Sequence, residues 1–210
     1  ANNVFIMTGG TMRIYDVCGN TAAPYYAFQV NSSTANTNVS GGTIEFLPTT
    51  RTGGSVDATA HQISTTASLG NVTINRGAGC ASDVQLNTNA LTVLGNLTLT
   101  AGGFTANNLS VNIGGNFSIA SGTTYVPGTN TTTLNGSGVQ TFTVNLAAAL
   151  SLYNFTIDKA AGVAVNFAGS QNTINVTNNF RLALGTLNDN GNTINLGLGV
   201  YNSGVHAGAG

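Results

Sequence analysis

Apolar and polar positions alternate in five short phrases of this chain, and the phrases resemble one another. Each contains Asn followed by an apolar, a polar and a second apolar residue, and they read GNVTI (70–74), GNLTL (95–99), GNFSI (115–119), YNFTI (153–157) and NNFRL (178–182). Alternation with a period of two is typical of a β-strand that buries one face. Successive asparagines lie 25, 20, 38 and 25 residues apart, and we interpret the long gap as nearly two repeats.

The alternation assigns the side chains of the five phrases to an inward or an outward face. One predicted inward column contains Val72, Leu97, Phe117, Phe155 and Phe180, and a second contains Ile74, Leu99, Ile119, Ile157 and Leu182. The outward positions are Thr73, Thr98, Ser118, Thr156 and Arg181. A single unit cannot bury its own apolar face, whereas units stacked about 4.8 Å apart form a continuous core. We therefore predict an all-β fold, a parallel β-helix with 20–25 residues per coil; the alternative is a β-sandwich.

The asparagine that opens each phrase is expected at a corner of the coil. These residues form a candidate asparagine ladder, in which side-chain amides bond to the coils above and below: Asn71, Asn96, Asn116, Asn154 and Asn179. The alternative is that Asn is present only because it tolerates turn conformations.

The first third of the chain repeats less regularly than the rest. GGTMRIYDV (9–17) and GGTIEFLPT (41–49) match each other at a spacing of 32 residues. We therefore divide the chain into irregular N-terminal coils with longer loops (1–89) and regular coils (90–210) that continue the same stack. The matched positions also predict that Arg13 and Glu45 lie close together on neighbouring coils.

Composition narrows the functional classes. Apolar residues make up 41% of the 210 residues, but charged residues only 5%, with a net charge of −1. Nucleic-acid binding requires a basic surface, and bilayer insertion requires about 20 consecutive apolar residues; the sequence has neither feature. Cys18 and Cys80 are a candidate disulfide, typical of an oxidising compartment. Their separation of 62 residues leaves the bond open, because two or three coils exceed the Cα distance that a disulfide spans.

The residues that could carry chemistry are scattered. The acidic residues occur singly, at Asp16, Glu45, Asp57, Asp83, Asp158 and Asp189, and the two histidines are His61 and His206. Glycoside cleavage usually requires a pair of carboxylates. We therefore expect no enzymatic activity, no metal and no cofactor. A carbohydrate-binding or carbohydrate-cleaving β-helix is the alternative, with a candidate glycan platform of Tyr25, Tyr26, Tyr125 and Tyr201.

Three stretches of the second half carry a resemblance to a known class of proteins. They are LTVLGNLTLTAGGF, LYNFTIDKAAGVAVNFAGSQNTINVTNNF and GNTINLGLGVYNSGVHAGAG. These stretches resemble the very large, repetitive surface proteins and adhesins of Bacteroidetes, which are often exported by the type IX secretion system. The resemblance implies an extracellular β-solenoid segment of a cell-surface protein, and it supplies no catalytic residue.

Together these observations predict a non-enzymatic structural or adhesive module, a rigid stalk or filament segment on a bacterial cell surface. The last phrase ends without a polar cap, and bare solenoid ends are normally covered. The expected partners are therefore neighbouring segments of a longer chain or identical subunits bound head to tail, together with surface glycans.

Overall fold

The chain folds into a stack of parallel β-coils, which confirms the predicted β-solenoid. The computed structural model describes residues 4–15, 26–32, 36–47, 61–77 and 83–208. In these ranges the chain forms 25 β-strands and no α-helix, and all strand pairs are parallel. In the regular coils each turn passes along three sides of the stack in the same order. Hydrogen-bonded residues on successive turns are 20 or 25 residues apart there.

One side of the stack is a nine-stranded sheet, the long sheet. Its strands, in spatial and chain order, are β2 (Thr11–Tyr15), β5 (Thr43–Leu47), β7 (Asn71–Asn75), β10 (Leu97–Ala101), β13 (Phe117–Ile119), β16 (Gln140–Val144), β19 (Ala164–Ala168), β22 (Thr186–Asn188) and β25 (Val205–Ala207). The long sheet contains strands from both parts of the chain, 1–89 and 90–210.

The second side carries a six-stranded sheet, preceded in the first coils by a two-stranded one. The six strands are β9 (Leu91–Val93), β12 (Val111–Ile113), β15 (Thr131–Leu134), β18 (Asn154–Asp158), β21 (Asn179–Leu184) and β24 (Gly199–Asn202). The two-stranded sheet consists of β1 (Phe5–Met7) and β4 (Thr37–Val39).

The third side is divided between two sheets that do not pair with each other. The lower, five-stranded sheet contains β3 (Tyr26–Val30), β6 (His61–Thr65), β8 (Asp83–Leu86), β11 (Gly103–Thr105) and β14 (Thr124–Val126). The upper, three-stranded sheet contains β17 (Leu150–Leu152), β20 (Thr173–Val176) and β23 (Thr193–Leu196). We call the interruption between β14 and β17 the seam.

The core is one apolar cluster that runs through the interior of the stack. Every residue of the two predicted inward columns is buried, so the facing derived from the alternation is correct. Phenylalanines of successive turns contact one another along the axis; for example, the rings of Phe117 and Phe142 stack with centroids 5.2 Å apart. Parallel coils thus bury apolar faces that a single coil would expose.

The predicted columns are wrong in one respect, because the phrases occupy two sides of the stack. Phe117 pairs in register with Phe142 on the long sheet, whereas Phe155 and Phe180 pair with each other on the six-stranded sheet. The 38-residue gap between Asn116 and Asn154 therefore marks a change of side. Alternation determines which face of a strand is buried, but it is the same on every side of a solenoid.

The corner that leads into the long sheet is rich in glycine because successive turns approach closely there. A Cβ added at Gly115 would lie 2.4 Å from the carbonyl carbon of Gly95, and one added at Gly95 would lie 2.3 Å from Oδ1 of Asn71. These contacts are too short for any residue with a side chain. The Gly-Asn pair at the start of the phrase is therefore a requirement of the stacking.

Candidate functional site

Three of the candidate ladder asparagines form a column at the corner that leads into the long sheet. Oδ1 of Asn71 accepts a hydrogen bond from the backbone N–H of Asn96 (2.9 Å), and Oδ1 of Asn96 accepts one from the N–H of Asn116 (2.7 Å). Oδ1 of Asn116 accepts from the N–H of Thr141 at 2.8 Å, so the column continues through the next turn. Each side chain thus bonds to the backbone of the following coil.

Asn154 and Asn179 belong to a different column, at the start of strands of the six-stranded sheet. Oδ1 of Asn154 accepts from the backbone N–H of Asn179 (3.3 Å) and from Nδ2 of Asn178 (2.9 Å). Nδ2 of Asn154 donates to the carbonyl oxygen of Asn130 at 3.3 Å. The expectation of one set of equivalent corners is therefore wrong, and the five residues lie in two columns.

The tyrosines do not assemble into the predicted glycan platform. Tyr125 is 6% exposed; its ring stacks on Phe104, and its hydroxyl bonds to Oγ1 of Thr132 at 2.8 Å. Burial of this hydroxyl raises the pKa of Tyr125. Only Tyr201, on β24, has an exposed ring in the described structure, at 63%. Tyr25 lies outside the described residues, and for Tyr26 only the backbone is described, on β3.

Alternation misplaced Tyr125 because Thr124, Tyr125 and Val126 do not belong to one of the repeated phrases. Their exposures follow the order exposed, buried, exposed. The aromatic residue therefore takes the inward position, as the phenylalanines of the phrases do.

The predicted proximity of Arg13 and Glu45 is confirmed. Their residues pair in register on β2 and β5, and Nε of Arg13 donates to Oε2 of Glu45 at 3.1 Å. The Arg13 side chain is largely exposed, so the pair contributes little to stability. The candidate disulfide, Cys18 and Cys80, lies outside the described residues.

The acidic residues of the described ranges do not form a cluster of the kind that binds metal. No group of three or more His, Cys, Asp or Glu side chains that could hold an ion occurs in that part of the chain. Asp189 contacts His206, with Oδ2 and Nε2 2.6 Å apart. This contact joins β25 to the turn that follows β22. Within the described ranges, no helix is long and apolar enough to cross a bilayer.

The sides and the ends of the stack differ in their exposed surface. Most of the large apolar side chains exposed in the described structure lie on the first and last coils: Val4, Ile6, Met12 and Tyr15 at one end, and Leu184, Leu196, Leu198, Val200, Tyr201 and Val205 at the other. The exceptions are Leu94, Val126 and Val139. Sequence reasoning placed the last phrase in the stack, but it did not single out these apolar residues as a surface.

At the C-terminal end, strands β23, β24 and β25 are the outermost members of their sheets. Each has one edge that no strand of the described chain pairs with. Between them lies a depression of about 220 Å³ lined by Phe180, Leu182, Ile194, Val200 and His206. The end of the stack thus combines open strand edges with an apolar surface.

The seam forms a second concave feature, on the third side. A groove of about 640 Å³ lies between residues 122–127 and residues 146–151. It is mostly apolar, and it follows the last strand of the five-stranded sheet. No charged residue lines it.

These features define the chain as a β-solenoid with an uncharged polar exterior and apolar ends. No family model, curated protein or solved structure matches the chain. The fold and the surfaces are therefore the basis of the functional argument.

Proposed function

We propose that the protein is a non-enzymatic structural or adhesive module, a segment of a rigid stalk or filament on a bacterial cell surface. The observation that carries the proposal is the concentration of exposed apolar side chains on the two end coils. Each end offers open strand edges and an apolar surface, which suit the addition of another coil of the same kind. The covering coil would come from neighbouring sequence or from a second copy bound head to tail.

The architecture supports a mechanical role. Nine strands of the long sheet, stacked about 4.8 Å apart, give a length of about 40 Å. The continuous core and the columns of hydrogen bonds at the corners join each turn to the next. A stack of this kind acts as a stiff spacer whose length increases with each added turn.

The composition supports a location outside the cell. Thr, Asn and Ser provide most of the polar surface, since only 5% of the residues are charged. The resemblance to large exported surface proteins favours the same location. Labelling of intact cells with an antibody to the protein tests this part of the proposal. Staining that requires permeabilised cells would contradict it.

End-to-end association is tested by matched Val→Thr variants. Val200 and Val205 lie on the last coil and are 53% and 59% exposed, whereas Val139 lies within the stack and is 64% exposed. We expect the wild-type protein to associate with increasing concentration in sedimentation velocity experiments. The double variant Val200→Thr/Val205→Thr should associate less, and Val139→Thr should behave as wild type. A wild type that stays monomeric at all concentrations, or equal effects of the two sets, would contradict the proposal.

Carbohydrate binding is the second candidate function, and the exposed Tyr201 ring is the observation that favours it. Tyr201 pairs in register with Arg181, so an aromatic face and a guanidinium lie side by side on the outer surface of the six-stranded sheet. Aromatic rings with a polar neighbour are common in binding sites for polar ligands. A glycan array with wild type and Tyr201→Ala tests binding, and a reducing-sugar assay tests cleavage. Binding that Tyr201→Ala abolishes would favour this function over the first.

A further inference from the structure

A buried lysine and a buried glutamine meet at the corner between the six-stranded sheet and the long sheet. Lys159 follows β18 and is 3% exposed, and Gln140 opens β16 on the adjacent turn and is 1% exposed. Nζ of Lys159 donates to Oε1 of Gln140 at 2.5 Å and to the carbonyl oxygen of Gly136. The side chain thus spans two turns of the solenoid inside the core.

The surroundings of the amine favour its uncharged form. Both acceptors that it contacts are neutral carbonyl oxygens. Because burial removes water and no anion compensates, the pKa of Lys159 falls to about 8. An uncharged amine has a lone pair and is a nucleophile.

The carboxamide of Gln140 is held in place from both ends. Its Oε1 also accepts the backbone N–H of Gly136 at 3.0 Å. Its Nε2 donates to the carbonyl oxygens of Ile113 (2.9 Å) and Gly115. The N–H of Gly136 is therefore positioned to stabilise negative charge that develops on Oε1.

We propose that Lys159 and Gln140 form an amide cross-link between adjacent turns. A rotation at the end of the lysine side chain carries Nζ from Oε1 to the face of Cδ. The Nζ lone pair forms a bond to Cδ, and the bond between Cδ and Nε2 breaks. A proton passes from Nζ to Nε2, which leaves as ammonia. The reaction exchanges one amide for another and requires no oxidant or reductant.

Proximity provides the rate that free amines and amides lack. Groups held in a fixed reactive geometry react as if at concentrations of about 10⁵ to 10⁸ M. The product keeps Oε1 as an acceptor for Gly136, so the corner retains that hydrogen bond. The cross-link would join residues 19 positions apart in the sequence and fasten two turns covalently.

Digestion of denatured wild-type protein with trypsin tests the proposal. Trypsin cleaves after Arg76, Lys159 and Arg181, so the unlinked chain gives the fragments 77–159 and 160–181. An amidated Lys159 is not a substrate. We therefore expect one fragment, 77–181, lighter by one ammonia, whose fragmentation spectrum joins residues 140 and 159. Complete cleavage after Lys159 in protein kept folded at pH 9 would overturn the proposal.

Two variants and one competing reaction serve as controls. Lys159→Arg keeps the cleavage site and a buried cation but has no nucleophilic amine, and Gln140→Met removes the carboxamide. Both should be cleaved after residue 159 and show no loss of ammonia there. Succinimide formation at Asn135-Gly136 also releases ammonia, but it leaves Lys159 cleavable, so the fragment pattern separates the two reactions.

The pH dependence of the rate gives a readout that a purely structural lysine would not. Unlinked protein, purified in denaturant, is refolded at several pH values and quenched in acid at intervals. Because the uncharged amine reacts, the rate should rise about tenfold per pH unit below pH 8 and level off above it. A rate independent of pH between 6 and 8 would contradict attack by Lys159.

Discussion

Replacement of Phe117 by alanine provides the most direct test of the stacked core. Phe117 is fully buried on the long sheet. Its ring lies parallel to that of Phe142 on the next turn, and it meets the ring of Tyr125 edge-on at 5.4 Å. Phe117→Ala therefore removes a side chain that contacts two other rings, one of them on an adjacent turn.

The expected loss of stability lies at the upper end of the usual range. Phe→Ala in a protein core typically costs about 3 to 5 kcal/mol, with larger values where the surroundings cannot collapse. Here the backbone hydrogen bonds between turns hold β10, β13 and β16 at fixed spacing, so the cavity remains open. Aromatic pairs contribute about 0.5 to 1.5 kcal/mol beyond the buried area. We expect a loss of about 4 to 5 kcal/mol.

Guanidinium unfolding followed by circular dichroism measures the effect, with Thr98→Ala as the control. Thr98 lies on the same sheet and points outward, so its replacement should cost less than about 1 kcal/mol. Phe155→Ala, on the six-stranded sheet, should resemble Phe117→Ala. Because repeat proteins can unfold in parts, the slope against denaturant is compared among variants. Small and equal losses in all three variants would refute the assignment of inward and outward faces.

Three further substitutions test individual contacts. Gly115→Ala should cost about 1 to 3 kcal/mol, because its Cβ would collide with the preceding turn, whereas Gly138→Ala meets nothing within 4 Å and should be neutral or stabilising; thermal melts compare the two. Asn96→Ala should cost about 0.5 to 1.5 kcal/mol through the lost acceptor for the next turn, and Asn96→Asp, which keeps that acceptor, should cost less; equal losses in chemical unfolding would contradict the ladder. Arg13→Ala should cost at most about 1 kcal/mol, and its effect should shrink with salt; a larger, salt-independent loss would show another role.

The sequence predicted the facing of the strands better than their arrangement. The period-two alternation correctly identified Phe117 and Phe155 as inward, because burial of one face is a local property of the pattern. The same alternation could not distinguish the long sheet from the six-stranded sheet, because both bury such phrases. Arg13 and Glu45 could be paired because their phrases, GGTMRIYDV and GGTIEFLPT, match over several residues.

The buried polar corner could not be predicted, because its residues belong to no repeat. Gln140 and Lys159 are 19 residues apart, and neither position recurs in the other phrases. In the sequence, Lys159 follows Asp158, and the pair reads as a solvated turn. Only the stacking of adjacent turns brings the lysine amine to the glutamine carboxamide.

The seam on the third side has a consequence for the stack under tension. All rung-to-rung hydrogen bonds run along the axis, so a pull on the two ends peels turns away one at a time. Each released turn of 20 or 25 residues would lengthen the molecule by about 70 to 90 Å. Most neighbouring turns are fastened on three sides, but between β14 and β17 only the long sheet and the six-stranded sheet connect them. The force needed for rupture should therefore be lowest at this junction, which would act as a built-in fuse between two stronger halves.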